Sequence, residues 1–279
     1  MGLAATARGL LELTRPVNTV AAGALTFIGA FVAGGAFDES TATAAAVGAT
    51  WLATGAGMAI NDYFDREIDA INAPERAIPR GAVSPRGALA FSVVLFVGAI
   101  VLAALLPLLA LAIAAVNLVG LVTYTTYFKG LPGAGNALVA YLVGSTFLFG
   151  AAAVGDPLAG GVLAVLAALS TFTREVIKDV EDVAGDREEG LNTLPIAIGP
   201  RRALRLGAVL LVVAVAASPV PYYLGTFGVW YLVVVVPADA LMLVAAYRSF
   251  EDPTAGQQLL KAGTFVAAAA FVVGRLAVA

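Results

Sequence analysis

The sequence predicts an all-α membrane protein of nine transmembrane helices, with two aspartate-rich loops on one side of the membrane. Three observations support this. The 279 residues are 60% hydrophobic and only 13% charged, with a mean hydropathy of +0.92; a soluble globular domain has roughly 25% charged residues. Nine apolar stretches approach the about 20 residues that a bilayer crossing needs. The acids are gathered: of 19, five lie in Asp62–Glu75 and seven in Glu175–Glu189.

The expected spans are Val17–Gly35, Thr41–Ile60, Gly87–Leu106, Leu108–Phe128, Ala134–Ala153, Leu158–Ile177, Ala203–Val220, Phe227–Tyr247 and Leu259–Ala277. The first 15 residues are polar enough to sit at the surface, and no cleavable signal peptide is expected. Pro107 marks a tight turn after the third span, Asp156-Pro157 one after the fifth, and Pro219/Pro221 one after the seventh. The connections are short except at the two acidic loops, where function is expected to concentrate. Residues 1–279 read as one integral membrane domain.

Charge tests the count. With nine spans, 15 of the 16 basic residues fall on one side, the side of both acidic loops, and only Arg275 does not. Cytoplasmic loops carry the excess of Lys and Arg. The chain is therefore expected in the cell membrane with its N-terminus and acidic loops cytoplasmic and its C-terminus outside. The acidic loops follow spans two and six, which suggests two pseudo-equivalent halves of four spans plus a ninth.

Composition also narrows the chemistry. There is no cysteine and no histidine, so disulfides, thiolate metal sites, thiol nucleophiles and imidazole bases are all excluded. Carboxylates, Lys and Arg, hydroxyls and amides remain. In the stretch NDYFDREIDAINAPERAIPRG, Asn61, Asp65 and Asp69 are four residues apart. On a helix each such step turns about 40° and rises about 6 Å, so the three line one face, with Asp62 at its edge. In TREVIKDVEDVAGDREEGLNTLP, Asp182 and Asp186 repeat the spacing, Asp179 stands three before Asp182, and Asp182 follows Asn61 by 121 positions. Carboxylate rows at the ends of spans are costly unless a cation sits on them. Mg²⁺ takes hard oxygen ligands, one or two carboxylates with water and phosphate completing the shell. The rows therefore suit Mg²⁺ carrying a diphosphate. A Ca²⁺ loop is a poor alternative, because the D-x-D-x-D-G pattern is absent.

Taken together, NDYFDREIDAINAPERAIPRG and KDVEDVAGDREEG, with the nine-span count, resemble the UbiA superfamily of intramembrane prenyltransferases. The resemblance covers essentially the whole chain. It implies a nine-helix bundle in which Asn61, Asp65 and Asp69 of the first motif and Asp182 and Asp186 of the second hold Mg²⁺ and diphosphate, with Asp62 and Asp179 as helpers. Arg76, Arg80 and Lys178 lie beside the rows and could hold diphosphate or acceptor oxygens, as Arg and Lys do. Tyr124 and Lys129, in VTYTTYFKGLPGAGN, resemble the family's Tyr-to-Lys element at the end of its fourth helix. Asn18 and Arg15, in LTRPVN, resemble a polar element opening its first helix.

The superfamily's acceptors include aromatic acids, haem, chlorophyllide and glycerol phosphate ethers. The KDVEDVAGD core and the short chain resemble the archaeal branch that joins geranylgeranyl diphosphate to geranylgeranylglyceryl phosphate. An aromatic, quinone-precursor acceptor stays open at this point. The expected partners are that diphosphate, that or another prenyl acceptor, and the lipid bilayer, with no nucleic acid and no obligate protein partner. A transporter of cations or lipid diphosphates is the competing class, and Asp239 at membrane depth would suit it. Against it, the acids cluster at one face instead of the midplane. Asn117, Asn136, Ser145 and Thr146 are further polar positions at membrane depth.

Overall fold

The computed structural model describes residues 3–278. Among these every regular element is helical: α1 (Leu3–Leu13), α2 (Pro16–Val32), α3 (Ser40–Phe64), α4 (Arg66–Asn72), α5 (Pro85–Ala103), α6 (Leu108–Thr123), α7 (Ala134–Ala153), α8 (Pro157–Glu181), α9 (Val183–Glu188), α10 (Leu194–Ile198), α11 (Pro200–Ala217), α12 (Val220–Tyr223), α13 (Val229–Arg248) and α14 (Pro253–Leu276). Helix α6 runs on into a π-helical turn, Tyr124–Phe128. Eight of the described helical stretches are long and apolar enough to cross a membrane, and a ninth is made by α1 and α2 if that pair, bent by 48°, is one span. The ends of α7 coincide with the expected span, as do those of α6 with its π-helical turn; elsewhere helix ends lie up to six residues inside or outside the expected bounds.

The first span differs most from expectation, since its N-terminal flank is helical too. The break follows from Arg15-Pro16. Proline has no N–H and suits the first helical position, but it disfavours the α conformation in the residue before it. Arg15 accordingly sits in the left-handed region at φ 46°, alone among the described non-glycine residues, and α2 starts anew. Three other helices begin with proline behind a capping side chain. Ser84 accepts a hydrogen bond from the Gly87 N–H at 3.1 Å, Asp156 from Ala159 at 3.4 Å and Asp252 from Ala255 at 3.0 Å. Each caps an otherwise unpaired donor of the first turn.

Packing centres on α7, which lies against α2 and α8. Glycines let these backbones approach. A Cβ on Gly29 would sit 2.1 Å from the Phe147 carbonyl oxygen, and one on Gly150 would sit 1.9 Å from that of Thr26. Gly144 meets Ala164 in the same way. Such small-residue contacts are how helices associate where burial in lipid gives no hydrophobic drive. Single hydrogen bonds add to them: Thr26 to Thr50 at 2.9 Å, Ser92 to the Ala56 carbonyl at 3.0 Å and Thr173 to the Gly207 carbonyl at 2.8 Å. Helices α3 and α8 both pack on α2 and α7, and they carry the two acidic rows.

Candidate active site

The two rows are built alike. Helices α3 and α8 are both 25 residues long, and each ends at an aspartate, Asp65 with φ −82° and ψ 2°, Asp182 with φ −91° and ψ 3°. Both lie in the sparsely populated bridge region, where many active-site residues sit. A short helix follows each, α4 and α9. The four-residue ladder nevertheless continues through both breaks. Asp65 N–H donates to the Asn61 carbonyl and Asp69 N–H to that of Asp65, both at 2.8 Å; Asp182 donates to Lys178 and Asp186 to Asp182, both at 2.9 Å. The structure thus pairs Asp65 with Asp182, an offset of 117 positions. The same offset relates Asn61 to Lys178, Asp62 to Asp179 and Asp69 to Asp186. Counting from Asn61 to Asp182, as the bare spacing suggests, is one helical step out of register.

In the first row every acid meets a cation from another element. Asp62, buried, accepts from the Arg15 guanidinium at 2.7 Å and lies 3.7 Å from that of Arg76. Asp69, also buried, accepts from Arg76 at 2.6 Å. Asp65 accepts from Lys129 Nζ at 3.0 Å. Asn61 Oδ1 accepts from the Thr125 hydroxyl. Both Thr125 and Lys129 belong to the π-helical turn and its cap. There the Lys129 N–H reaches back five residues to the Tyr124 carbonyl at 2.8 Å. π-Turns inside α-helices are frequent at functional sites.

The second row has neutral supports. Asp179 accepts from Asn136 Nδ2 at 2.7 Å and Asp186 from the Thr193 hydroxyl at 3.0 Å. None of its three aspartates forms an ion pair among the described residues. Asp182 is exposed at the bundle's end. Partial burial raises its carboxyl above the usual range; Lys178 opposes the shift, while Asp186, Glu181 and Glu175 add to it. Tyr124 opens the π-helical turn that carries Thr125 and leads into Lys129.

Other expected residues are placed differently. The guanidinium of Arg80 is engaged by Glu12 of α1 and by the Glu75 carbonyl. Lys178 is exposed, as is Asn18 in the first turn of α2. Asp239, at membrane depth, accepts from Ser218 at 2.5 Å. The supporting roles of Thr125, Asn136 and Thr193 have no local signature, because their partners are 64, 43 and 7 positions away.

The rows offer a metal only oxygen ligands, the carboxylates and the Asn61 amide oxygen, as a hard cation requires. Among the described residues no three acidic side chains converge on one metal-sized point. Mg²⁺ needs only one or two carboxylates when phosphate oxygens and water complete its shell, so the residues fit it as a partner of a diphosphate. Below the rows a cavity of about 80 Å³ lies between α3, α5, α6 and α7, lined by Thr50, Thr54, Asn117, Leu121, Leu142 and Phe149 among others. Thr54 is seven residues from Asn61, about 10 Å along the helix.

A bundle with this pair of rows has known counterparts. The profile of the UbiA prenyltransferase family matches residues 22–272. The chain belongs to that family. It is a prenyltransferase and a multi-pass membrane protein. A UbiA relative from Halobacterium salinarum, named digeranylgeranylglyceryl phosphate synthase, is 74% identical over 97% of this chain and 98% of its own length. A solved structure from work on digeranylgeranylglyceryl phosphate synthase in membranes is 32% identical, covers 97% of this chain and 99% of its own, and superposes with a TM-score of 0.86. A UbiA homologue from Archaeoglobus fulgidus bound to GPP and Mg²⁺ shares the fold at 18% identity and a TM-score of 0.72, covering 97% of this chain and 99% of its own.

Proposed function

We propose that this UbiA enzyme transfers a geranylgeranyl group from geranylgeranyl diphosphate to the free hydroxyl of geranylgeranylglyceryl phosphate, forming the second ether bond of an archaeal lipid. The observation that carries the reading is the 74% identity, over nearly the full length of both chains, to a protein named for that product. The two rows of carboxylates and the cavity beneath them support it. The residues 1–279 act as one domain, with both rows and the N-terminus on the cytoplasmic side, as the distribution of Lys and Arg indicates.

Asp65 and Asp69 of the first row, with Asn61, and Asp182 and Asp186 of the second are assigned to hold Mg²⁺, which when bound neutralises charge on the departing diphosphate. Lys129 and Arg76 stand beside the first row and supply further positive charge to the same oxygens. Lys178, exposed and free of an ion pair among the described residues, contributes from the second. Such preorganised charge aids breaking of the allylic C–O bond, because negative charge develops there. The reacting end of the prenyl tail is assigned to the apolar cavity, with the rest running out into lipid, and the cavity's Leu, Ala and Phe side chains keep water from the cationic carbon. The acceptor hydroxyl forms the new C–O bond, releasing diphosphate and a proton. Tyr124, at the start of the π-helical turn that leads into Lys129, is assigned to position the acceptor.

The test uses purified protein in detergent with Mg²⁺ and labelled geranylgeranyl diphosphate. Geranylgeranylglyceryl phosphate and 4-hydroxybenzoate are offered in parallel, with Asp65→Ala and Asp182→Ala as controls. A diether phosphate product abolished by both substitutions is expected. Product from the aromatic acid alone would overturn the assigned acceptor and move the protein to quinone precursors.

A further inference from the structure

We infer that the two rows load metal in order. The second row (Asp179, Asp182, Asp186) takes a divalent cation in the free enzyme. The first row (Asp62, Asp65, Asp69) takes one only after a diphosphate has drawn Lys129 and Arg76 away from it. The inference rests on the metal site proposed above and concerns its regulation.

The argument is the contrast between equivalent positions. At the offset of 117, the same three aspartates meet opposite surroundings. Asp62, Asp65 and Asp69 face Arg15, Lys129 and Arg76 at 2.7, 3.0 and 2.6 Å. Three negative charges are balanced by three positive ones. Asp179 and Asp186 meet only an amide and a hydroxyl, at 2.7 and 3.0 Å, and Asp182 is exposed without an ion pair among the described residues. Lys178 and Arg174 are the cations on that face of α8, and Arg174 is already paired with Glu175 at 2.7 Å, so the second row keeps an uncompensated negative charge. Opposite charges a few ångströms apart attract strongly where dielectric screening is reduced, so a free dication is drawn to the second row first.

The first row is closed by its own partners. A cation arriving at Asp65 or Asp69 meets Lys129 and Arg76, both already within ion-pairing distance, and like charges repel. A diphosphate changes this, because its oxygens offer Lys129 and Arg76 a replacement anion and offer the metal further ligands. The two cations differ from Arg15, which is fixed at the α1–α2 bend in a left-handed conformation. Arg15 therefore stays with Asp62, and Asp62 serves as a positioning residue, holding Arg15 while Arg76 leaves and Asp65 and Asp69 open. Because coupling between ligands is reciprocal, metal at the first row and diphosphate strengthen each other's binding.

The experiment counts bound Mn²⁺ by electron paramagnetic resonance on the purified full chain in detergent, with inorganic diphosphate as the probe. The free wild type is expected to bind one Mn²⁺. Asp182→Asn weakens that site at least tenfold, and Asp65→Asn leaves it within about threefold. Diphosphate raises the count to two. Lys129→Met raises it to two without diphosphate; if that variant is not monodisperse on gel filtration, Arg76→Gln replaces it with the same expectation. Two Mn²⁺ in the free wild type, none at all, or one that Asp65→Asn removes and Asp182→Asn spares would each overturn the order. A failed ordering and a failed functional reading stay distinguishable, because formation of the diether phosphate is assayed on the same preparation.

Discussion

The central helices α3, α7 and α8 and the outer helices α5 and α6 resolve the same membrane problem in opposite ways. Much of α7 is buried, and its interior is mostly small: Gly135, Ala140, Gly144, Ser145, Gly150 and Ala151–Ala153, with Asn136, Phe147 and Phe149. On α5 only Ala88, Ser92, Ala99 and Ala103 are buried, and on α6 only Ala110, Ile113 and Gly120. The outer helices turn Val94, Val97, Val101, Val116 and Val119 outward. The most apolar helices are thus the least buried, the reverse of a soluble protein. In lipid, apolar surface gains nothing by leaving it, so the interior is left to small residues that pack closely and to polar residues that find partners. That is why the chemistry of this enzyme lies on its least hydrophobic spans.

Four substitutions break or sharpen that contrast. The largest effect is expected from Gly150→Ala, whose Cβ would meet the Thr26 carbonyl oxygen at 1.9 Å. Forcing the α2 and α7 backbones apart costs about 3 kcal/mol or more, read as a fallen Tm and a broadened gel-filtration peak. A variant that melts like the wild type would disprove the close approach. Asn136→Leu comes next. It removes the donor to Asp179 and leaves that carboxylate without its hydrogen bond, at a cost of about 1–3 kcal/mol, and transfer activity should fall with it. Asp239→Asn is milder. The amide still accepts from Ser218, so Tm should move by less than the equivalent of about 1 kcal/mol and the transfer rate stay within about twofold. A large loss of rate with an unchanged Tm would give Asp239 a role in the reaction. Val97→Ala, facing lipid, should change stability by no more than about 0.5 kcal/mol; a loss like that of Gly150→Ala would mean that α5 has an unrecognised helix partner.

The spans and the acidic rows were legible in the sequence for one reason: each is a local pattern. About 20 apolar residues or aspartates four apart can be read without knowing what lies across the bundle, and the helices follow them within a few residues. The bend at Arg15 was legible only in part, since Arg15-Pro16 marks a boundary but does not say that a helix precedes it. The register of the repeat was misplaced by one helical step, because Asn61 corresponds to Lys178, a residue of different chemistry. The side chains that hold the acids were the least readable. Arg15 reaches Asp62 across 47 positions and Lys129 reaches Asp65 across 64, and such pairings are set by the bundle. Asn136 stood out as a polar residue at depth, but its partner Asp179 became visible only once α7 lay on α8.

The π-helical turn Tyr124–Phe128 makes chain length itself a carrier of information. It holds one residue more than an α-helical turn would, and Lys129 reaches Asp65 from the end of that widened turn. Deleting one residue between Tyr124 and Phe128 would leave composition and hydropathy nearly untouched, yet it would swing everything that follows by about 100° around the helix axis. Alanine scanning preserves length and cannot reveal such a dependence. Single-residue deletions and insertions through this turn can, and among UbiA relatives a gap placed here in an alignment deserves the weight usually given to a changed catalytic residue.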